Sequence, residues 1–181
     1  MSTVNTHFHT GDPIDLLRSR RSNVTEPYFT SIPTEERFAV KYLISDMYNP
    51  YISYVEKYFP NAISVVDSFH VIQWITRMID NYIRQLLKKF RDREYQEKLS
   101  LEQQVPVSLP PSDEVYLLQK YRWLILCNQS NIRYHTDPRM DPHFHALMNT
   151  YDYEDALFRI DYKLKEFRDL KELYLQFNAR N

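Results

Sequence analysis

From Phe69 to about Leu99 the chain runs without a glycine or a proline, and apolar residues return at spacings of three and four: Ile72, Ile75, Ile79, Tyr82, Leu86 and Phe90. That period lays one apolar stripe along an α-helix. The spacing predicts one long helix whose stripe must be buried against other elements, because helices in proteins owe most of their stability to packing of an apolar face. Arg77, Arg84, Lys88 and Arg91 fall together on the opposite face. Such a row of cations is either a solvated helix face or a surface that follows phosphates, and the sequence leaves both open.

Upstream of residue 68 the pattern differs, with short β-like runs alternating with short helical ones. Ile14–Leu17 reads as a strand, Pro33–Phe38 as a helical turn and Val40–Ser45 as a strand rich in β-favouring residues. Asn49 is expected to cap a helix that starts at Pro50 and gathers Ile52, Val55 and Phe59 on one face. Pro60 and Asn61 should stop it, and Ala62–Val66 reads as a short buried strand. A strand–helix–strand order implies a parallel pair with a right-handed crossover. Asp46 and Asp67 then sit just past the same ends of the two strands, where open α/β sheets place their active sites.

Downstream, Val105 to Pro111 is a proline-bearing connector, and Ser112 with Asp113 and Glu114 should open a helix to about Leu126. Residues 128–149 read as loop, followed by helices over about Tyr153–Lys165 and Asp169–Asn178. The organisation expected is an α/β region over residues 1–71 and a mostly α-helical region over residues 72–181.

Composition removes several function classes. Gly11 is the one glycine in 181 residues, which excludes a P-loop and a dinucleotide-binding fingerprint. The one cysteine, Cys127, rules out an internal disulfide and a cysteine-based zinc site, and within Trp123–Cys127 it is expected to be a buried thiol. No apolar run approaches the ~20 residues of a membrane span. Met1–Asn5 does not begin a secretory signal, so a cytoplasmic setting is expected. A net charge of −1 neither favours nor excludes nucleic acid. With aromatics at 15% of the chain, a packed core is affordable, and Trp74 and Trp123 are expected in it.

Asp46 is the first candidate for chemistry, as a carboxylate at a strand end suited to Mg²⁺. The bland alternative is a turn or capping aspartate. Asp67 and His70, at i and i+3 across a strand-to-helix junction, either support such a site or contact DNA beside it. Asp67 equally suits a helix cap, and it is also the rival to Asp46 as the catalytic acid. His7 with His9, and His143 with His145 near His135 and Asp141, are read as surface histidines rather than a zinc site. Glu154, Glu166 and Glu172 are read as solvated faces of the last helices.

One block is more specific: Ser45-Asp46-Met47-Tyr48-Asn49-Pro50-Tyr51, then Phe59-Pro60-Asn61-Ala62, then Asp67-Ser68-Phe69-His70-Val71. It resembles the catalytic domain of the ISL3 family of bacterial insertion-sequence transposases. The likeness begins near Gly11–Leu17 with Arg20-Arg21, passes Glu36-Arg37 and Val40-Lys41, and continues through Tyr121–Leu126 and Leu170–Tyr174. The resemblance implies an RNase H-like fold with a helical insertion, three catalytic acids, and Mg²⁺ or Mn²⁺ as cofactor. It makes Asp46 the second acid and a metal ligand, and Asp67-x-x-His70 the motif that follows it. It implies DNA as partner, both element ends and target, with self-association in the full-length form. The first acid would lie upstream of this chain, so neither Asp12 nor Asp15 takes that role. The third would follow an Asn-Gly stretch that has no counterpart here. The expectation is therefore a transposase fragment, inactive alone and binding metal weakly or not at all. Two alternatives stay open: a non-catalytic DNA-binding or interaction protein of transposase descent, and an unrelated helical scaffold.

Overall fold

The structure, a computed structural model, describes residues 3–6, 12–102 and 110–179. His7, His9, Gly11 and the connector from Val105 to Leu109 lie outside the described residues. The chain divides into two compact units, residues 1–71 and 72–181.

In the first unit, β1 (Thr3–Thr6) pairs antiparallel with β2 (Pro13–Leu17), with a register shift between Asn5 and Thr6. Two helices follow, α1 (Ser22–Ser31) and α2 (Thr34–Ala39). Then come β3 (Tyr42–Ser45), α3 (Asn49–Tyr58) and β4 (Ile63–Val66), and β3 pairs with β4 in parallel, as the strand–helix–strand order implied.

The core of this unit is aromatic. Tyr54, Tyr58 and Phe59 are buried, and Phe29 packs its ring against all three at centroid distances of 5.4, 5.7 and 5.4 Å. Buried polar tips find partners, as such rings require: Thr25 Oγ1 donates to the Tyr54 hydroxyl at 3.0 Å, and the Tyr58 hydroxyl donates to Glu26 at 3.0 Å. Two expectations about α3 are corrected here. Its buried face is Tyr54, Val55 and Tyr58, continued by Phe59, whereas Ile52 is exposed. Asn49 is already helical and caps nothing; Tyr48 precedes the helix, and its N–H is taken by Asp46.

Most of α4 (Ser68–Glu102) belongs to the second unit. Ile79, Leu86 and Phe90 of the expected stripe are buried, and Ile75 and Tyr82 pack partly against the same core. Ile83 and Leu87 join them, so the apolar face is wider than the spacing of the first set suggested. It packs with α5 (Asp113–Lys120), α6 (Trp123–Leu126), α7 (Thr150–Ile160) and α8 (Tyr162–Ala179) through Val115, Leu118, Leu124, Ile125, Leu157 and Leu164. Each such side chain contributes roughly 1.5–3 kcal/mol on burial.

Ser112 caps α5 by accepting from Val115 N, but the helix ends at Lys120 and a turn at Tyr121–Arg122 separates it from α6. The expected loop over residues 128–149 contains a hairpin, β5 (Arg139–Asp141) with β6 (Ala146–Met148), closed by a turn in which His145 takes a positive φ of 50°. The last two helices meet at Asp161, earlier than expected.

Cys127 is exposed, not buried; at the same helix end Lys171 donates to the carbonyls of Ile125, Leu126 and Cys127. Trp74 and Trp123 are also exposed rather than core. The described residues are mostly helical with three two-stranded sheets, and among them no helix is long and apolar enough to cross a membrane.

Candidate functional site at the ends of the parallel strands

The β3–β4 register pairs Tyr42 with Ile63 and Ser45 with Val66. The ladder continues past both ends, with Ile63 N donating to Lys41 O at 2.8 Å and Asp67 N donating to Ser45 O at 2.9 Å. Parallel pairing with no register shift therefore brings Asp46 and Asp67 past the same end of the pair.

Asp46 is half-buried at the turn into α3. Its Oδ1 accepts from Tyr48 N at 3.1 Å, a short-range aspartate turn that fixes the chain's exit from the strand. The Arg20 guanidinium stands 4.9 Å from the centroid of the Tyr48 ring, so one of the paired arginines lies beside that turn. Asp67 splits its carboxylate between two tasks. Oδ1 caps α4 by accepting from Phe69 N at 2.9 Å, and Oδ2 lies 3.8 Å from His70 Nε2. The capping and the His70 readings of Asp67 are thus compatible in one rotamer.

Elsewhere the acids have structural duties. Glu154 is buried, against the expectation of a solvated face: it accepts from the Tyr134 hydroxyl and pairs with Arg168. Burial beside that carboxylate pushes the Tyr134 hydroxyl up to about 12. Glu172 accepts from Gln129 N at 3.0 Å and stands 3.5 Å from Lys171 Nζ; Glu166 is exposed.

Asp141 is the most heavily bonded acid. It is buried and accepts from the hydroxyls of Tyr116 at 2.8 Å and Tyr153 at 2.7 Å and from the N–H groups of His143 and Phe144. Burial alone would raise its pKa; the donors outweigh it and hold the carboxyl well below the usual range. His143 stacks on Tyr116 with centroids 4.1 Å apart and bonds Asp113 at 2.8 Å, so it is a packed residue and not the surface histidine expected.

Among the described residues, no group of three or more histidine, cysteine or acidic side chains is placed to hold a metal ion. Of the cations expected on one face of α4, Arg84, Lys88 and Arg91 line a common groove, joined there by Arg122, a turn residue outside the helical period. Arg77 is not part of that groove and meets Gln73 at 3.5 Å.

A core with a parallel β–α–β unit and carboxylates past its strand ends is the class of arrangement found in α/β enzymes that work at sheet edges. The chain matches the ISL3 transposase family over residues 1–178 and belongs to that family. No curated protein and no solved structure matches it.

Proposed function

We propose that this chain is the part of a DNA transposase that carries the second catalytic acid, Asp46, on an incomplete RNase H-like core over residues 1–71, with residues 72–181 as a helical insertion. The observation that supports this most is the parallel β3–β4 pair, with Asp46 and Asp67 past the same end, in a chain of a transposase family. The parental reaction is DNA strand cleavage and strand transfer at element ends, and bound Mg²⁺ or Mn²⁺ would supply activation of the attacking oxygen and stabilisation of the leaving one. Asp46 is the ligand proposed for it; Asp67 and His70 support that edge or lie beside the DNA. Exposed Arg77, Arg84, Lys88 and Arg91 are the proposed DNA contacts of the second unit. The setting is the bacterial cytoplasm, with self-association in the longer protein.

The described carboxylates do not fit a two-metal set, since Asp46 and Asp67 together fall short of three acids. No step of the reaction is therefore assigned to this chain alone. The same shortfall favours a second reading, a transposase-derived protein that holds DNA without cutting it. The purified chain is expected to leave supercoiled and linear DNA uncut in Mg²⁺ or Mn²⁺. Cleavage that disappears in Asp46→Asn would contradict inactivity while supporting Asp46 as the acid, and cleavage indifferent to Asp46→Asn would contradict both.

A further inference from the structure

We propose that the groove between α4 and the turn joining α5 to α6 binds consecutive backbone phosphates of duplex DNA. Its four cations are Arg84, Lys88 and Arg91 from α4 and Arg122 from the turn. This rests on reading the chain as a DNA-handling protein, but not on Asp46 as its acid.

The groove has a volume of about 570 Å³, and Gln119 and Asp92 complete its polar rim. Its floor includes Leu87, which is buried in the core, so the cations stand around a packed base. Asp80 ties the two walls together. The Arg84 guanidinium pairs with Asp80 Oδ2 at 2.7 Å, while Arg122 approaches Asp80 Oδ1 to 3.6 Å. That Oδ1 is buried and accepts no hydrogen bond, which leaves its charge facing Arg122 while Oδ2 holds Arg84. Asp80 is a positioning residue on this account.

Four cations face two carboxylates, Asp80 and Asp92, which leaves two positive charges in surplus. Lys88 and Arg91 make no hydrogen bond or ion pair among the described residues, and both are exposed. A solvated helix face needs no second element; here the fourth cation comes from a different element and converges on the same concavity. Arginine forks and a lysine point charge are the donors that phosphates reward, without regard to base sequence.

No aromatic side chain lines the groove, so it offers no platform for stacking unpaired bases, which single-strand sites use. Duplex backbone is the ligand it suits. Arg77 lies outside the groove and is not one of its four cations.

The test is fluorescence anisotropy of the full chain with labelled duplexes of two unrelated sequences, titrated across salt. Each neutralised phosphate adds about 0.9 to the slope of log affinity against log salt. Lys88→Ala/Arg91→Ala should flatten that slope by about 1.8 and Arg122→Ala by about 0.9, equally on both sequences. Lys89→Ala, at an exposed α4 cation outside the groove, should leave it unchanged. Exposed Lys88 and Arg91 hold no contact the fold needs, and a Lys88→Gln/Arg91→Gln pair should reproduce the alanine result. Unchanged slopes in the double variants, equal flattening by Lys89→Ala, tighter binding of single strands than duplex, or no duplex binding by wild type at low salt would each overturn the proposal. Those outcomes leave the Asp46 reading standing, because that reading fails only in measurements on Asp46 itself.

Discussion

At the scale of single residues, burial decides what each acid does. Asp141 takes two tyrosine hydroxyls and two backbone N–H groups in the ionised form, and hydrogen bonds to a charged group contribute about 1.5–3 kcal/mol each where they are buried. Its pKa is lower in the folded chain than in the unfolded one. The unfolded chain therefore takes up the proton first as pH falls. The stabilisation is complete above the ordinary carboxylate value of about 3.9 and is lost progressively below it. Asp141→Asn should cost about 2 kcal/mol or more at pH 7, and the gap to wild type should close as the pH falls through the acid range. Denaturant melts at several pH values measure this; a gap that stays constant down to the lowest pH would mean that the charge of Asp141 is not what its partners hold.

Glu154 and Arg168 give a second test at this scale. Both are buried and face each other, so Glu154→Gln should destabilise by about 3–5 kcal/mol through the arginine left unpaired. Replacing both with leucine should cost less than the single change, measured as a double-mutant cycle on unfolding free energy. Equal or greater loss in the double variant would mean that the pair is net stabilising.

At the scale of elements, α7 starts with a reciprocal cap. Asn149 Oδ1 accepts from Tyr151 N and Asp152 N, and Asp152 Oδ2 accepts from Asn149 N at 2.8 Å. Asn149→Ala should cost about 1 kcal/mol, read in thermal melts, with loss confined to the second unit by amide exchange. A loss under a few tenths would mean that packing of Leu157 and Tyr153, not the cap, sets where α7 begins.

Elements with a strong local period were legible in the sequence, and those specified by distant contacts were not. The long helix announced itself through Ile79, Leu86 and Phe90, and the parallel pair through the order of Leu43–Ile44, Val55 and Val65. The β5–β6 hairpin was invisible because its turn carries no Asn-Gly or glycine; His145 adopts the left-handed conformation instead. The break after Lys120 carries no proline or glycine either. The tyrosines around Asp141 come from residues 116 and 153, and the partner of Glu154 from residue 168, separations that no helical or strand period reveals. At the strand ends, Asp46 and Asp67 were legible because their positions follow from strand order alone. The fourth cation of the groove, Arg122, was not, because a turn residue belongs to no periodic face.

At the scale of the whole molecule, two units divide the work proposed here. The first holds Asp46 and Asp67 on a two-stranded parallel pair whose Tyr42, Ile44, Ile63 and Val66 remain exposed. Parallel strands in complete domains are covered on both faces, and two strands alone make a marginal sheet. That exposure accords with a partial catalytic core, as does the shortage of acids. The second unit has a continuous apolar core and should resist denaturant better than the first. Amide exchange should show slow exchange in α4, α5 and α7 and faster exchange in β3 and β4; the reverse order would contradict the assignment of the first unit as the incomplete one.

On the proposed reading, the Asp46 edge is the metal-facing end of a transposase core. Paramagnetic broadening of amide signals by Mn²⁺ probes that edge, because broadening detects weak binding. Amides of residues 46–48 and 67–70 should broaden first, at Mn²⁺ concentrations on the order of millimolar as suits a site with few carboxylates, and Asp46→Asn should abolish the effect. Broadening that begins at exposed acids such as Glu166 and Asp169, or that persists at residues 46–48 in Asp46→Asn, would contradict it.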